Sequence, residues 1–371
     1  MQVCVVGDIH LGPKCEKSQI RNAVIAGQER FFKNLAADLR GRGIKTILFS
    51  GDIFTVRPFM TIGIMEYAVR LFRDILGDFD IHVICGNHDL VYDNSDELSS
   101  LVLLELLPNV HVYRKKVASV KLLGRTWYMV PWVLPGNYQA TADWLDKLAR
   151  KPAKTRNSTV IFGHFDITGM LMEAGQTSTT GLDPEKFYAA APHVISGHYH
   201  CRSFNKGASA DSSILYLGSP YHLGFAHVGT DCGYYILDDD MNIEFVENTD
   251  SPRFVDVDDE HLEGLGDLSN RFVRYYARND RNFDDARARK KVLEEAKPIY
   301  IKTVFYGGEV DTIEEARRLD DEEARRVLGA DTITMAEMYM DKYPGDLPVF
   351  WSGENPKEKI LDILRTYAFN R

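Results

Sequence analysis

Short apolar runs punctuate the first two hundred residues, and each breaks off into a polar loop: "VCVV" before Gly7, "TILF" before Ser50, "IHVIC" before Gly86, "TVIF" before Gly163 and "HVI" before Ser196. Runs this short, rich in β-branched residues and bounded by Gly, Asp, Asn and Ser, predict buried strands. Between the first three the period changes. Val24, Phe31, Phe32, Leu35 and Leu39 recur at helical spacing across roughly residues 20–40, and a second helical pattern covers 61–76. Strand–helix–strand alternation predicts parallel strands with helices outside them. Residues 110–130 and 202–247 read instead as short strands and turns. The expected fold is a mixed α/β layered core up to about residue 247.

Beyond that point the pattern changes. Residues 270–306 read as strand, charged helix, strand ("VRYYA", "DDARARKKVLEEA", "IYIKTVFY"), a small α+β unit. The tail carries two helix start signals, a capping box at Thr334 and Glu337 and a second start at Asn355-Pro356 with Glu358. The chain therefore divides into 1–247, 248–330 and 331–371. Segments 62–76 and 98–107 are apolar on more than one face, and "LSSLVLLELL" has too few polar positions for a helix wetted along one side. A buried helix and a helical interface both satisfy that pattern. In the last helix Ile360, Leu361, Leu364, Tyr367 and Ala368 form one apolar stripe, suited to packing on the chain's own body or to docking on a partner.

Composition adds bounds. The chain has 371 residues, 44% hydrophobic and 26% charged, as expected of a globular protein with a full core. It enters a strand at once, without the basic and apolar segments of a signal peptide, and no apolar run is long enough to cross a bilayer. Cys4, Cys15, Cys85, Cys201 and Cys232 have no close paired spacing, which argues for a reducing, cytoplasmic setting with neither a disulfide framework nor a thiolate zinc site. The formal charge of −10 does not advertise a polyanion binder. It is uneven, however: residues 238–267 hold twelve acids against Arg253, while 271–291 hold eight bases against three acids. A polyanion would have to be met locally.

The chemistry lies at the loop tips. "GDIH" (7–10), "GD" (51–52), "GNHD" (86–89), "GH" (163–164) and "GHYH" (197–200) each follow a predicted strand and carry carboxylate, imidazole or amide groups. Any one of them alone is an ordinary turn. In an open α/β sheet the carboxyl ends of the strands share one rim, so the five in order bring distant residues together. Manganese, iron and zinc accept this donor set. Two such ions roughly 3.5–4 Å apart clamp a phosphodiester and supply a hydroxide nucleophile. The glycine before each group permits the tight turn that aims it into a crowded site.

The series "GDIH…GD…GNHD…GH…GHYH" resembles the calcineurin-like metallophosphoesterase superfamily, with its layered α-β-β-α core. "GDIHLG", "GDIFTVRP", "GNHD" and "SGHYH", followed by "YLGSPYHLGF", resemble a narrower group, the SbcD-type DNA nucleases, including the recombination nuclease subunits of tailed phages. The likeness spans roughly residues 1–247 and extends more faintly through the tail. It implies that Asp8, His10 and His200 hold a first metal, that Asp52 bridges, and that Asn87, His164 and His198 complete a second. It further implies that His88 stays off the metals and helps protonate the leaving 3′ oxygen, with Asp89 orienting its ring. Where some members carry a second active-site histidine after "GDIF", this chain has Thr55. The implied activity is 3′→5′ exonuclease on duplex ends and endonuclease on single strands or hairpins. It would depend on two divalent ions, manganese with magnesium as the alternative. The implied partners are DNA, an SbcC-type coiled-coil ATPase, and a second copy of the chain bound through helices 62–76 and 98–107. The setting would be the bacterial cytoplasm, with phage origin possible on this resemblance.

Other readings stay open. A metallophosphatase or cyclic-nucleotide phosphodiesterase on the same fold needs no cap, no Arg-aromatic segment and no docking helix. A metal-free scaffold predicts missing ligands, and all seven are present. His222 and His227 flank "LGFA" and read as plain loop histidines, with His222 a candidate DNA contact. Lys14 and Arg57 follow ligand loops and read as phosphate contacts or as solvated bases. In 271–291, Phe272, Tyr275, Tyr276 and Phe283 read mainly as core, and some of the arginines as DNA contacts.

Overall fold

The computed structural model describes residues 1–12, 18–55, 60–173, 176–208, 212–262, 265–278, 283–306, 312, 313, 316 and 317. All five expected strand runs form strands. β1 (Gln2–Val6), β2 (Thr46–Phe49) and β3 (Asp80–Ile84) run parallel in one sheet, and Thr159–His164 and His193–Gly197 run parallel in another. Each sheet has six strands. The first continues from β3 into parallel Val110–Tyr113 and, on the other side of β1, into antiparallel Gly233–Asp238 and then Ile243–Glu247. In the second, Arg125–Val130 and Ser213–Tyr216 extend the parallel set, and Ala118–Leu122 and Ser203–Lys206 close the edges antiparallel.

The period of two along each strand builds the layers. In β1, Val3 and Val5 point to one apolar cluster and Cys4 and Val6 to another; in β2, Leu48 faces the first and Ile47 and Phe49 the second. The first cluster also takes Trp127, Val160, Phe162, Ile195 and Leu215 from the other sheet, so it is the core between the two sheets. The second is closed from outside by Phe31, Phe32, Leu35 and Leu39 of α1 (Ser18–Arg42) and by Leu71 and Phe72. On the far face, Ile161, Val194 and Ile214 pack against Leu145 and Leu148 of α3 (Tyr138–Ala149) and Phe187 of helix Pro184–Ala190. The order is helix, sheet, sheet, helix. Both parallel sets are covered on both faces, as parallel sheets require.

The pattern over 61–76 resolves into α2 (Ile62–Arg70) and a π-helical turn, Leu71–Ile75. Thr61 caps α2 by accepting the Ile64 N–H at 3.4 Å. The helix expected over 98–107 is a shorter 3₁₀ helix, Ser100–Leu106, preceded by strand Ser95–Ser99. Its buried residues, Leu101 and Leu104, are three apart, which suits three residues per turn. Farther on, Arg253–Asp258, Arg271–Arg278 and Tyr300–Tyr306 form a three-stranded sheet, with helix Phe283–Glu295 between the last two in sequence.

Two compact units divide the chain, residues 1–275 with 287–302, and 276–286 with 303–371. The expected tail helices at 331–371 lie outside the described residues. Among those described, no helix is long and apolar enough to cross a membrane, and Cys4, Cys85, Cys201 and Cys232 are buried and outside any disulfide.

Candidate metal centre

The carboxyl ends of β1, β2 and β3 and of the two central strands of the second sheet meet, and the seven expected ligands meet with them. His10 Nε2 lies 3.0 Å from His200 Nε2 and 3.6 Å from Asp52 Oδ2, and His200 Nε2 lies 3.8 Å from Asp8 Oδ2. One ligand atom from each of Asp8, His10, Asp52 and His200 falls within 4.8 Å of all the others. A second group lies beside it: Asn87 Oδ1 is 2.9 Å from His164 Nε2 and 3.0 Å from His198 Nδ1. His164 Nε2 is 3.5 Å from Asp52 Oδ2, so that oxygen is common to both groups. Its partner Oδ1 accepts the His88 N–H at 2.7 Å.

Crowding at this rim explains the glycines. A Cβ on Gly86 would lie 2.2 Å from Asp52 Oδ1, and one on Gly197 would lie 2.3 Å from Asp8 Oδ1. The backbone is also held in unusual conformations. His10, Asp52 and His198 have φ of 41°, 49° and 91°, in the left-handed region that costs a residue with a Cβ about 1–3 kcal/mol. Hydrogen bonds between loops hold them there. The His10 N–H donates to the Asp52 carbonyl at 2.9 Å, and the His198 N–H to Asp8 Oδ2 at 2.9 Å.

Electrostatics fit a cation site. Burial keeps His10 and His198 well below the usual imidazole range and brings His200 down to about 4, so each ring is neutral with a lone pair to offer. For His164 burial acts the same way, but Asp52 and Asp8 overcome it and push the ring up to about 9. Its Nδ1 meets the Ser50 carbonyl at 2.8 Å, which fixes the tautomer and turns Nε2 toward Asp52 and Asn87. Asp8 is raised well above the carboxylate range by burial, with His164 opposing and Asp52 adding to it. Burial acts on Asp52 in the same direction, but His164, His88 and His10 together outweigh it and hold Asp52 low. Asp52 Oδ2 and His10 Nδ1 are buried without a hydrogen bond. Two buried carboxyl groups, the three imidazoles that burial keeps neutral, His164 once an ion takes the place of its proton, and an amide oxygen are a donor set suited to divalent transition ions.

His88 is half-buried beside this cluster, its ring 5.0 Å from that of His10. The expectation that Asp89 orients it needs correction. Asp89 Oδ1 accepts the N–H groups of Ile53 (2.9 Å) and Phe54 (3.2 Å), and Oδ2 accepts that of Gly86 (2.9 Å). The carboxylate is committed to tying two ligand loops together, because buried N–H groups with no strand partner must find an acceptor. A backbone carbonyl meets the His88 ring instead, Thr55 O at 3.3 Å from Nδ1.

The other candidates divide. His222 is wedged between the Phe254 N–H, which donates to Nδ1 at 3.2 Å, and the Thr230 carbonyl, 3.1 Å from Nε2. His227 is buried against Ser219 Oγ at 3.0 Å. Both support the loop rather than face solvent. Phe272, Tyr275 and Tyr276 are buried, as expected, and so is Arg274, paired with Asp256 at 2.8 Å. Lys14 and Arg57, and the side chain of Phe283, lie outside the described residues. Sequence reasoning missed Ser50 and Trp132. The Trp132 ring lies 4.8 Å from the His198 ring and 5.8 Å from that of His164, and its backbone N–H donates to the Cys85 carbonyl at 2.7 Å. Ser50 adjoins a motif and was findable by position; Trp132 belongs to none.

With this geometry in place, the class follows. The model of the calcineurin-like phosphoesterase family matches residues 1–202, and the chain belongs to that family of metal-dependent phosphoesterases. It is 31% identical over 255 residues to exonuclease subunit 1 of Enterobacteria phage T4, covering 67% of this chain and 68% of that one. The resemblance read from the loop motifs is thereby borne out. Among solved structures, a dimetal phosphatase from Danio rerio aligns with TM-score 0.39 and 11% identity over 64% of this chain and 91% of its own. A purple acid phosphatase from yellow lupin (Lupinus luteus) seeds aligns with TM-score 0.42 and 13% identity, covering 64% and 49%.

Proposed function

We propose that this protein is a two-metal DNA nuclease, a 3′→5′ duplex exonuclease and single-strand endonuclease acting as the nuclease subunit of an SbcCD-type complex. The observation that carries the reading is Asp52 Oδ2, buried, without a hydrogen bond and shared between the two donor groups. Likeness to a phage exonuclease subunit supports DNA as the substrate. In this reading Asp8, His10 and His200 would hold one ion, Asn87, His164 and His198 would hold the other, and Asp52 would serve both. Two bound manganese ions, or magnesium, would neutralise the phosphodiester and activate the nucleophile. The chain's own groups do the rest. Asn87 contributes oxygen without adding negative charge where a phosphate must enter. His88 has Nδ1 against the Thr55 carbonyl, which can only accept, so that nitrogen carries a proton; the ring would serve the leaving 3′ oxygen as the doubly protonated imidazolium, giving the proton on Nε2.

The domain reading remains 1–247 nuclease core, 248–330 DNA-contacting cap and 331–371 docking segment for a coiled-coil ATPase, whose surface would supply much of the grip on DNA. A homodimer through 62–76 and 98–107 would cover Ile62, Leu98 and Leu106, which are 83%, 53% and 79% exposed. The deciding experiment offers duplex DNA labelled at either end, single-stranded circles and a small aryl phosphodiester, in manganese and in magnesium, with and without a chelator. Release of nucleotides from 3′ ends, abolished by the chelator, is expected. Rapid turnover of the small ester with DNA left intact would overturn the reading in favour of a phosphatase or cyclic-nucleotide phosphodiesterase.

A further inference from the structure

His10 has a left-handed backbone, with φ of 41°, so its carbonyl points where a strand or helix would not place it. Two side chains from separate elements meet that carbonyl. Gln28 of α1 donates from Nε2 at 3.1 Å, and Thr55 of the loop after β2 donates from Oγ1 at 2.8 Å. Gln28 is only 2% exposed, in a helix whose other inward residues are apolar, and its Oε1 is buried without a hydrogen bond. A buried amide with an unsatisfied oxygen is unfavourable for folding alone. What that amide does achieve, beside the Tyr221 phenol, is a hydrogen bond to the His10 carbonyl oxygen. Thr55 is tied in further: its N–H donates to the Leu11 carbonyl at 3.2 Å, and its own carbonyl lies 3.3 Å from His88 Nδ1.

We propose that Gln28 and Thr55 are positioning residues that clamp the His10 carbonyl and thereby set the affinity of one metal position, the one His10 serves, without setting the other. The inference rests on the reading of His10 as a ligand. The backbone angles of a residue fix the direction of its Cα–Cβ bond, so a His10 released toward ordinary angles swings its imidazole away from Asp52 and His200. Asn87, His164 and His198 stand on other strand ends and touch neither clamp residue in the hydrogen bonds around them. A general loss of stability would weaken both ions together; the clamp predicts that they separate. Thr55 also joins His10 to His88 through one residue, its hydroxyl on the first and its carbonyl near the second. That link places a ligand and the candidate acid under common control.

The test titrates the full chain with Mn²⁺ alone by calorimetry, with ion counts by elemental analysis and thermal melting in chelator. Gln28→Leu keeps the bulk and removes the donor; Thr55→Val is isosteric, and Thr55→Ser restores the hydroxyl. Each of Gln28→Leu and Thr55→Val is expected to weaken one of the two ions by about tenfold, a 1.4 kcal/mol change. The other ion and the chelator melting curve should stay close to those of the parent, and Thr55→Ser should recover the parental isotherm. Unchanged isotherms in both variants, or equal weakening of both ions, would overturn the proposal. His10→Ala separates the two levels. If it binds both ions as the parent does, the ligand assignment itself fails. If it loses one ion while the clamp variants bind normally, only the clamp fails.

Discussion

Asp52→Asn tests the shared carboxylate with little change of shape. Asparagine keeps an oxygen for the His88 N–H, which Asp52 Oδ1 accepts at 2.7 Å, so the loop after β3 retains its anchor. What it removes is the charge on Oδ2, an atom within 3.5 Å of His164 Nε2 and 3.6 Å of His10 Nε2. Two unit charges about 4 Å apart at an effective dielectric of about 20 interact by about 4 kcal/mol. A divalent ion doubles the attraction, and loss of hydration on both sides takes part of it back, which leaves about 4 kcal/mol per ion. At 1.4 kcal/mol per decade that is about a thousandfold in affinity, applied to both ions because one oxygen is shared. Calorimetric titration with Mn²⁺ and elemental analysis after dialysis read the effect directly, with circular dichroism as the control for folding. Retention of two ions at parental affinity would refute the shared-carboxylate argument.

His88→Gln should keep both ions while DNA cleavage falls by at least about a hundredfold, the scale of a lost general acid; loss of metal would make His88 a ligand instead. Gly86→Ala places a Cβ 2.2 Å from Asp52 Oδ1, so metal binding should fall and the melting temperature drop, and a variant with normal isotherms would show that the rim yields more easily than its packing implies. Charging the exposed apolar pair, Ile62→Asp with Leu106→Asp, should leave the melting temperature unchanged while sedimentation shifts from dimer to monomer; an unchanged dimer would place the interface elsewhere. His82, buried with Nδ1 2.8 Å from Tyr113 Oη, is held below the usual imidazole range first by burial. The unfolded chain therefore takes up a proton near pH 6.5 that the native state resists, so stability is complete above that pH and declines as pH falls below it. Denaturant midpoints measured downward from pH 7.5 should show that decline, and His82→Phe should make it shallower by one group's share, with His10, His198, His200 and His227, which burial also holds low, supplying the rest.

Local patterns determined much of this protein. Alternation along β1 and β2 dictated which residues face which apolar core, because a strand's side chains alternate whatever the rest of the chain does. The glycine-led tips after five apolar runs were enough to bring Asp8, His10, Asp52 and Asn87 to the rim of one sheet and His164, His198 and His200 to the rim of the other, because parallel strands within a sheet end on the same edge; the packing of the two sheets joined the rims. Residues 98–107 were misread as a longer helix, since apolar content does not distinguish a 3₁₀ turn from an α-helix. What only the tertiary structure decided is contact between separate elements. Asp89 adjoins His88 in sequence, yet its carboxylate is taken by N–H groups of the loop after β2, which a neighbour-by-neighbour reading cannot see. Gln28, Thr55, Ser50 and Trp132 reach the site from a helix, two loop positions and the end of another strand. Their hydrogen bonds and ring contacts span long separations along the chain, and no local spacing encodes them. Sequence specifies where a side chain sits on its own element; the packing of elements decides which atom it meets.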